Sequence, residues 1–192
     1  NQCGKCSDGY MLLDSVCVDA RERGTMFLNE STNEVTRVYG NARGASSVHA
    51  ADIDGDGYQD IISASYGDDS IRLHRNTNGL AHRFEDHDVV YGNAKGASSV
   101  CAGDINNDGS IDIVSASGLD NSIRWYRNNG QGSSFQPVLV YGQALGATSV
   151  FVADLDQDGD LDILSSSKDD HSIRWYRNTD KLGGKFDDIL VY

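Results

Sequence analysis

The chain has 192 residues, a formal net charge of −13, 39 % hydrophobic residues, and one Pro against 21 Gly. That length suits one domain with a small appendage, and the charge excludes a general nucleic-acid binder, which needs surplus Lys and Arg to meet phosphate. No apolar run approaches the roughly 18 residues of a membrane-spanning helix, so no membrane span is expected in this segment.

The chain opens on Asn with no charged and apolar leader, so a fragment or a mature form whose beginning is missing is expected. Residues 1–20 carry Cys3, Cys6 and Cys17 in the pattern Cys-Gly-Lys-Cys-Ser-Asp-Gly-Tyr followed by a third Cys. The pattern resembles the end of a small extracellular cysteine-rich module, of the EGF-like or growth-factor-receptor kind. These three are disulfide candidates; the odd number implies one partner upstream. Zinc is the alternative for Cys-x-x-Cys, but no fourth Cys or His lies near. Residues 21–38 are expected to be a linker and the last strand or strands of a preceding unit, at 26–28 and 35–39. Asn29-Glu30-Ser31 is a candidate glycosylation sequon.

From residue 38 onward the chain repeats itself. Val-Tyr-Gly-Asn-Ala-Arg-Gly-Ala-Ser-Ser-Val starts at Val38, a near copy starts at Val90, and Val-Tyr-Gly-Gln-Ala-Leu-Gly-Ala-Thr-Ser-Val starts at Val140, giving offsets of 52 and 50 residues. Each copy continues with an acidic loop and then with Ser-Ile-Arg-(Leu/Trp)-(His/Tyr)-Arg-Asn. Within a copy the pattern has a period of two: Ile123 and Trp125 alternate with Arg124 and Tyr126, as in a half-buried strand. The first copy reads as four strands near 46–52, 59–65, 70–76 and 84–91, with Gly, Asp, Asn and Ser in the turns.

Four strands per unit of about 50 residues is the signature of β-propeller blades. The predicted fold is all-β, with three four-stranded antiparallel blades at 39–90, 91–140 and 141–192. A propeller closes with about 4–8 blades. The three copies are therefore expected to be an arc of a larger, for instance seven-bladed, propeller, or one that completes itself by association. Trp125 and Trp175 share the phase of Ile123 and Ile173 and should pack between blades, with the neighbouring Arg and Tyr along strand edges. Cys101 stands where the other copies have His49 and Phe151, and reads as an ordinary strand residue.

The acidic loops carry the chemistry. Oxygen donors recur at loop positions 1, 3, 5 and 9: Asp52, Asp54, Asp56 and Asp60; Asp104, Asn106, Asp108 and Asp112; Asp154, Asp156, Asp158 and Asp162. Position 6 is Gly57, Gly109 or Gly159, where the chain must turn sharply. Position 7 offers the backbone carbonyl of Tyr58, Ser110 or Asp160. This spacing lets a loop wrap one Ca²⁺, which accepts 6–8 oxygens in flexible geometry. An EF-hand is excluded, because position 12 is Ser63, Ser115 or Ser165 rather than Glu, and position 9 runs straight into a strand. Solvated Asp-rich turns are the plain alternative; three loops in register, with unneutralised carboxylates crowded together, argue for a cation. Three Ca²⁺ would take the charge from −13 to −7. The second loop has Asn106 for an Asp and is expected to bind most weakly.

The loops and the repeat length resemble FG-GAP and FG-GAP-like (VCBS-type) repeats, the family of integrin α-subunit propellers and many secreted proteins. In place of the integrin-type Gly-Ala-Pro the chain has Ser63-Ala64-Ser65, Ser115-Ala116-Ser117 and Ser165-Ser166-Ser167, closer to the broader FG-GAP-like group. The resemblance implies a propeller with Ca²⁺ between the first and second strands of each blade.

No Gly-x-Ser-x-Gly, His-Glu-x-x-His or phosphate-loop motif is present, and the five histidines do not recur in register. The expected function is an extracellular, calcium-binding, non-catalytic module for adhesion or for binding a protein or glycan. The alternatives are the accessory propeller of a secreted carbohydrate-active or lipid-cleaving enzyme, or an integrin-like lectin. The turns between second and third strands vary most among the copies and are the expected place for a partner surface.

Overall fold

The computed structural model of the protein describes residues 10–13, 16–19, 38–77 and 84–191. Among the described residues all regular structure is β-strand. β1 (Tyr10–Leu13) and β2 (Val16–Asp19) form an antiparallel hairpin, with Cys17 in β2. Cys3, Cys6, Asn29 and the strand expected at 26–28 lie outside the described residues. Of residues 35–39 only Val38 and Tyr39 are described, and they are not in a strand.

Each repeat folds into one four-stranded antiparallel sheet whose strands follow in chain order. Blade 1 contains β3 (Ala45–Ala51), β4 (Asp60–Ser65), β5 (Ser70–Arg75) and β6 (Glu85–Tyr91). Blade 2 contains β7 (Ala97–Gly103), β8 (Asp112–Ser117), β9 (Ser122–Asn128) and β10 (Phe135–Tyr141). Blade 3 contains β11 (Ala147–Ala153), β12 (Asp162–Ser167), β13 (Ser172–Asn178) and β14 (Phe186–Leu190). These bounds follow the alternation of the sequence within one residue at each end of the first copy. The turn between second and third strands places Asp69, Asn121 and His171 at φ 54°, 57° and 53°, a conformation that Asp, Asn and His adopt more readily than most residues.

The first strands lie side by side, β3 against β7 and β7 against β11, as in neighbouring propeller blades. Two apolar layers fill the gaps between blades. Ile53, Ile71 and Leu73 of blade 1 meet Ala97, Val100 and Tyr126 of blade 2. Ile105, Ile123 and Trp125 of blade 2 meet Ala147, Val150 and Tyr176 of blade 3. Trp125 therefore packs between blades as its phase predicts. Tyr126 does not cover a strand edge: it is 0 % exposed and packs on blade 1. A middle blade is covered on both faces, so the alternation in β9 sorts side chains between two neighbours rather than between core and solvent. The intervening arginines lie over the tyrosine rings that end the preceding blade's fourth strand, Arg124 over Tyr91 and Arg174 over Tyr141.

The two serines of Gly-Ala-Ser-Ser join the first strands directly. Ser46 Oγ donates to the Ala97 carbonyl (2.6 Å), and Ser47 Oγ accepts from the Val100 amide (3.3 Å). The same pair of bonds recurs from Ser98 to Ala147 (2.8 Å) and from the Val150 amide to Ser99 (3.2 Å). Cys101 is buried within β7, where burial pushes its thiol up to about 12 and keeps it neutral.

Candidate metal centres

Each acidic loop joins the first strand of a blade to the second. The position-1 carboxylate organises the turn by accepting backbone amides: Asp52 from Gly55 and Gly57 (both 2.9 Å), Asp104 from Asp108 and Gly109 (3.1 and 2.8 Å), Asp154 from Asp158 and Gly159 (3.1 and 3.0 Å). Position 6 is left-handed in every copy, with φ 92°, 87° and 93° at Gly57, Gly109 and Gly159. A Cβ there would meet nothing within 4 Å, so glycine answers to backbone conformation and not to space. Position 4 is left-handed as well, at Gly55, Asn107 and Gln157.

The position-9 aspartates have a second task. Asp60, Asp112 and Asp162 are 0 % exposed. Each accepts one amide from loop position 2 and one from the Asn after the last Arg of the third strand. For Asp112 these are Ile105 (3.1 Å) and Asn128 (2.8 Å). Asp60 holds Ile53 and Asn76, and Asp162 holds Leu155 and Asn178. Burial outweighs these bonds and raises the Asp60 carboxyl above its usual range; it pushes Asp112 up to about 6. Each such carboxylate still has lone pairs to offer a cation, since an ionised Asp presents about four acceptor sites.

Carboxylates converge in two of the three loops. One oxygen each from Asp52, Asp54 and Asp60 lie within 4.8 Å of one another, as do those of Asp154, Asp156 and Asp158. These two clusters could hold a metal ion. The second loop brings Asn106 against Asp108, with Nδ2 donating to Oδ2 at 2.8 Å, and so gathers less negative charge. Ser110 and Tyr58 stand at position 7, with Asp56 oriented by the Tyr58 amide (2.8 Å) and Asp108 by the Ser110 amide (2.9 Å). Asp160 departs from the pattern: its side chain is buried and accepts from Asn107 of the second loop (2.8 Å), so it ties neighbouring loops together.

Two sets of residues around the loops carry signals the sequence reading did not use. The last Arg of each third strand reaches back to its own loop: Arg75 to Asp54 (3.2 Å), Arg127 to Asp108 (3.6 Å), Arg177 to Asp156 (2.6 Å). The Asn that follows reaches the preceding blade. Asn128 Nδ2 donates to the Ile53 carbonyl and Asn178 Nδ2 to the Ile105 carbonyl, both at 2.8 Å. Both residues sit in the recurring Arg-Asn pair, which was the available signal. The variable turns between second and third strands also hold neighbours: Asp69 Oδ1 accepts from Gly96 (2.8 Å) and Asn121 Oδ1 from Gly146 (2.9 Å), in the next blade's linker. A polar cavity of about 530 Å³ opens beside the second loop, lined by Asp108, Arg127 and Gln136 among others.

A family model for the FG-GAP-like repeat matches the chain three times, over residues 8–63, 52–115 and 104–165. The second and third matches run from one acidic loop into the second strand beyond the next, so the loops recur at both ends of the matched unit. No curated protein matches the chain. Among solved structures, a chain of the Photorhabdus luminescens Tc holotoxin pore is 20 % identical with a TM-score of 0.40. The alignment covers 79 % of this chain and 7 % of that chain, so the protein spans a small part of its length. With three repeat matches that together take in most of its residues, the chain belongs to the FG-GAP-like repeat family.

Proposed function

We propose that the protein is an extracellular calcium-binding β-propeller module that serves adhesion or the binding of a protein or glycan, with no catalysis of its own. The observation that carries this reading is the convergence of carboxylate oxygens in loops whose backbone is already turned around them. The donors are all hard oxygens, which suit Ca²⁺ or Mg²⁺ over softer metals. A donor set that changes from loop to loop, with Asn106 where the others have Asp, favours Ca²⁺, which accepts varied oxygen geometry, whereas Mg²⁺ demands a near-ideal octahedron. Asp52, Asp54, Asp56 and Asp60 would hold the first ion, with the Tyr58 carbonyl. Asp104, Asn106, Asp108 and Asp112 would hold the second, with the Ser110 carbonyl. Asp154, Asp156, Asp158 and Asp162 would hold the third, with the Asp160 carbonyl. When bound, Ca²⁺ supplies positive charge at the centre of each crowded acidic turn. Arg75, Arg127 and Arg177 neutralise the outer oxygens of the same loops. The cysteine pattern of residues 1–20 and the Asn29 sequon favour an oxidising, calcium-rich compartment.

Isothermal titration calorimetry with CaCl₂ and with MgCl₂ tests the reading. Three calcium-binding events per chain, with Mg²⁺ weaker at each, are expected. No heat from either ion above millimolar concentration would overturn it.

A further inference from the structure

Asp160 carries a buried carboxylate that its own loop does not use. Position 7 offers a cation only its backbone carbonyl, yet the Asp160 side chain is 3 % exposed. Its equivalents differ: Tyr58 is 43 % exposed and Ser110 is half-buried. The Asp160 carboxylate is spent on neighbours. Oδ1 accepts Nδ2 of Asn107 in the second loop at 2.8 Å, and Oδ2 lies 3.5 Å from Nζ of Lys181 in the β13–β14 turn. Asn107 stands at position 4, between the donors Asn106 and Asp108, and is held left-handed at φ 55°.

This bond sets one joint between blades apart from the other. The asparagine after the third strand bridges both joints alike, Asn128 to the Ile53 carbonyl and Asn178 to the Ile105 carbonyl. Across the first joint, however, the residues at positions 4 and 7 are Gly55 and Ser110, and Gly55 has no side chain with which to make the second link. The two loops that the bond joins also differ in readiness. Asp154, Asp156 and Asp158 of the third loop already converge. In the second loop Asn106 is turned onto Asp108 instead, so its donors must rearrange before they can share an ion.

We propose that Asn107 and Asp160 are positioning residues that couple the second and third calcium sites, so that filling the third loop strengthens binding in the second while the first loop fills on its own. The proposal rests on the calcium reading given above. Closing the third loop fixes the Asp160 backbone, through its carbonyl at position 7 and through its amide on Asp158 (3.0 Å). The buried carboxylate then holds Asn107, and with it the donors on either side. A loop fixed in advance gives up less freedom when it binds. The effect is reciprocal, and couplings of this kind amount to about 5–150-fold in affinity.

Calcium titrations of the full chain, followed by the NMR amide signals of Gly57, Gly109 and Gly159, read each loop separately. Asp156→Ala, which leaves both partners of Asp160 in place, empties the third loop and should weaken the second by at least about fivefold. Asp54→Ala empties the first loop and should leave the second within about twofold, because any coupling carried by the asparagine bridge alone would appear there too. Asn107→Gly gives the second loop the residue of the first at position 4 and suits the left-handed backbone. In that background Asp156→Ala should no longer alter the second loop; Asp160→Ser, which copies Ser110, should cut the coupling in the same way. A second loop indifferent to Asp156→Ala overturns the proposal. So does coupling that survives both Asn107→Gly and Asp160→Ser, or an equal response to Asp54→Ala. Loops that bind calcium independently refute the coupling alone, whereas glycine signals that do not move with calcium in any loop refute the calcium reading and the coupling with it.

Discussion

Asn128 links three parts of the molecule through one side chain that is 2 % exposed. Its Nδ2 donates to the Ile53 carbonyl in the first loop (2.8 Å) and to the Ile111 carbonyl in its own loop (2.9 Å). Its Oδ1 accepts the Gly130 and Gly132 amides of the β9–β10 turn, at 3.1 and 2.9 Å. Asn128→Ala removes all four bonds. At about 0.5–1.5 kcal/mol per bond, with buried carbonyls left unpaired, the loss is about 3–4 kcal/mol. Asn178 is the internal control. Its Nδ2 donates to Ile105 at 2.8 Å and to Leu161 at only 3.4 Å, and its Oδ1 is buried with no partner among the described residues. Asn178→Ala should therefore cost about 1–2 kcal/mol. Urea denaturation followed by tryptophan fluorescence, in calcium, measures both. The corresponding fall in melting temperature for Asn128→Ala is roughly 6–16 °C for a chain of this size. A loss below about 1 kcal/mol for Asn128→Ala, or a larger loss for Asn178→Ala, would refute the reasoning.

Asp112 should titrate near pH 6 in calcium-free protein, because burial pushes its carboxyl up to about 6 from a usual 3.8. The folded state then holds this proton more tightly than the unfolded chain. The stability it contributes is present below about pH 4 and is lost as pH rises through about 6, on the order of 3 kcal/mol in all. Carboxyl carbon shifts from NMR read this directly, and a midpoint near 4 would contradict it. Asn106→Asp should tighten calcium at the second loop by adding a carboxylate where Asn106 now bonds Asp108; calorimetry showing unchanged or weaker binding there would count against the site.

Most of the fold was legible in the sequence because it is local and periodic. Alternation between Ile123 and Trp125 marks a strand, and Gly57, Gly109 and Gly159 mark the sharp turn of each loop. The donors at positions 1, 3, 5 and 9 are likewise a matter of spacing; the carboxylates that converge are those at 1, 3 and 9 in the first loop and at 1, 3 and 5 in the third, so Asp56 and Asp162 stand outside the two clusters. What escaped depends on which blade stands beside which. Tyr126 looked like an edge residue because its burial comes from blade 1, about fifty residues earlier in the chain. The bonds of Asn128 and of the Ser46–Ser47 pair had no signal of their own, since their partners lie across a blade boundary. The variable turns looked free to meet a ligand, yet Asp69 and Asn121 hold the linker of the following blade.

Thermal unfolding with calcium and with excess chelator probes the role of the acidic loops most directly. At free Ca²⁺ about tenfold above Kd, each of three sites adds about 1.4 kcal/mol, so roughly 4 kcal/mol in total. Chelation should then lower the melting temperature by roughly 8–16 °C. Superimposable melting curves in calcium and in chelator would contradict the assignment of these loops as structural calcium sites.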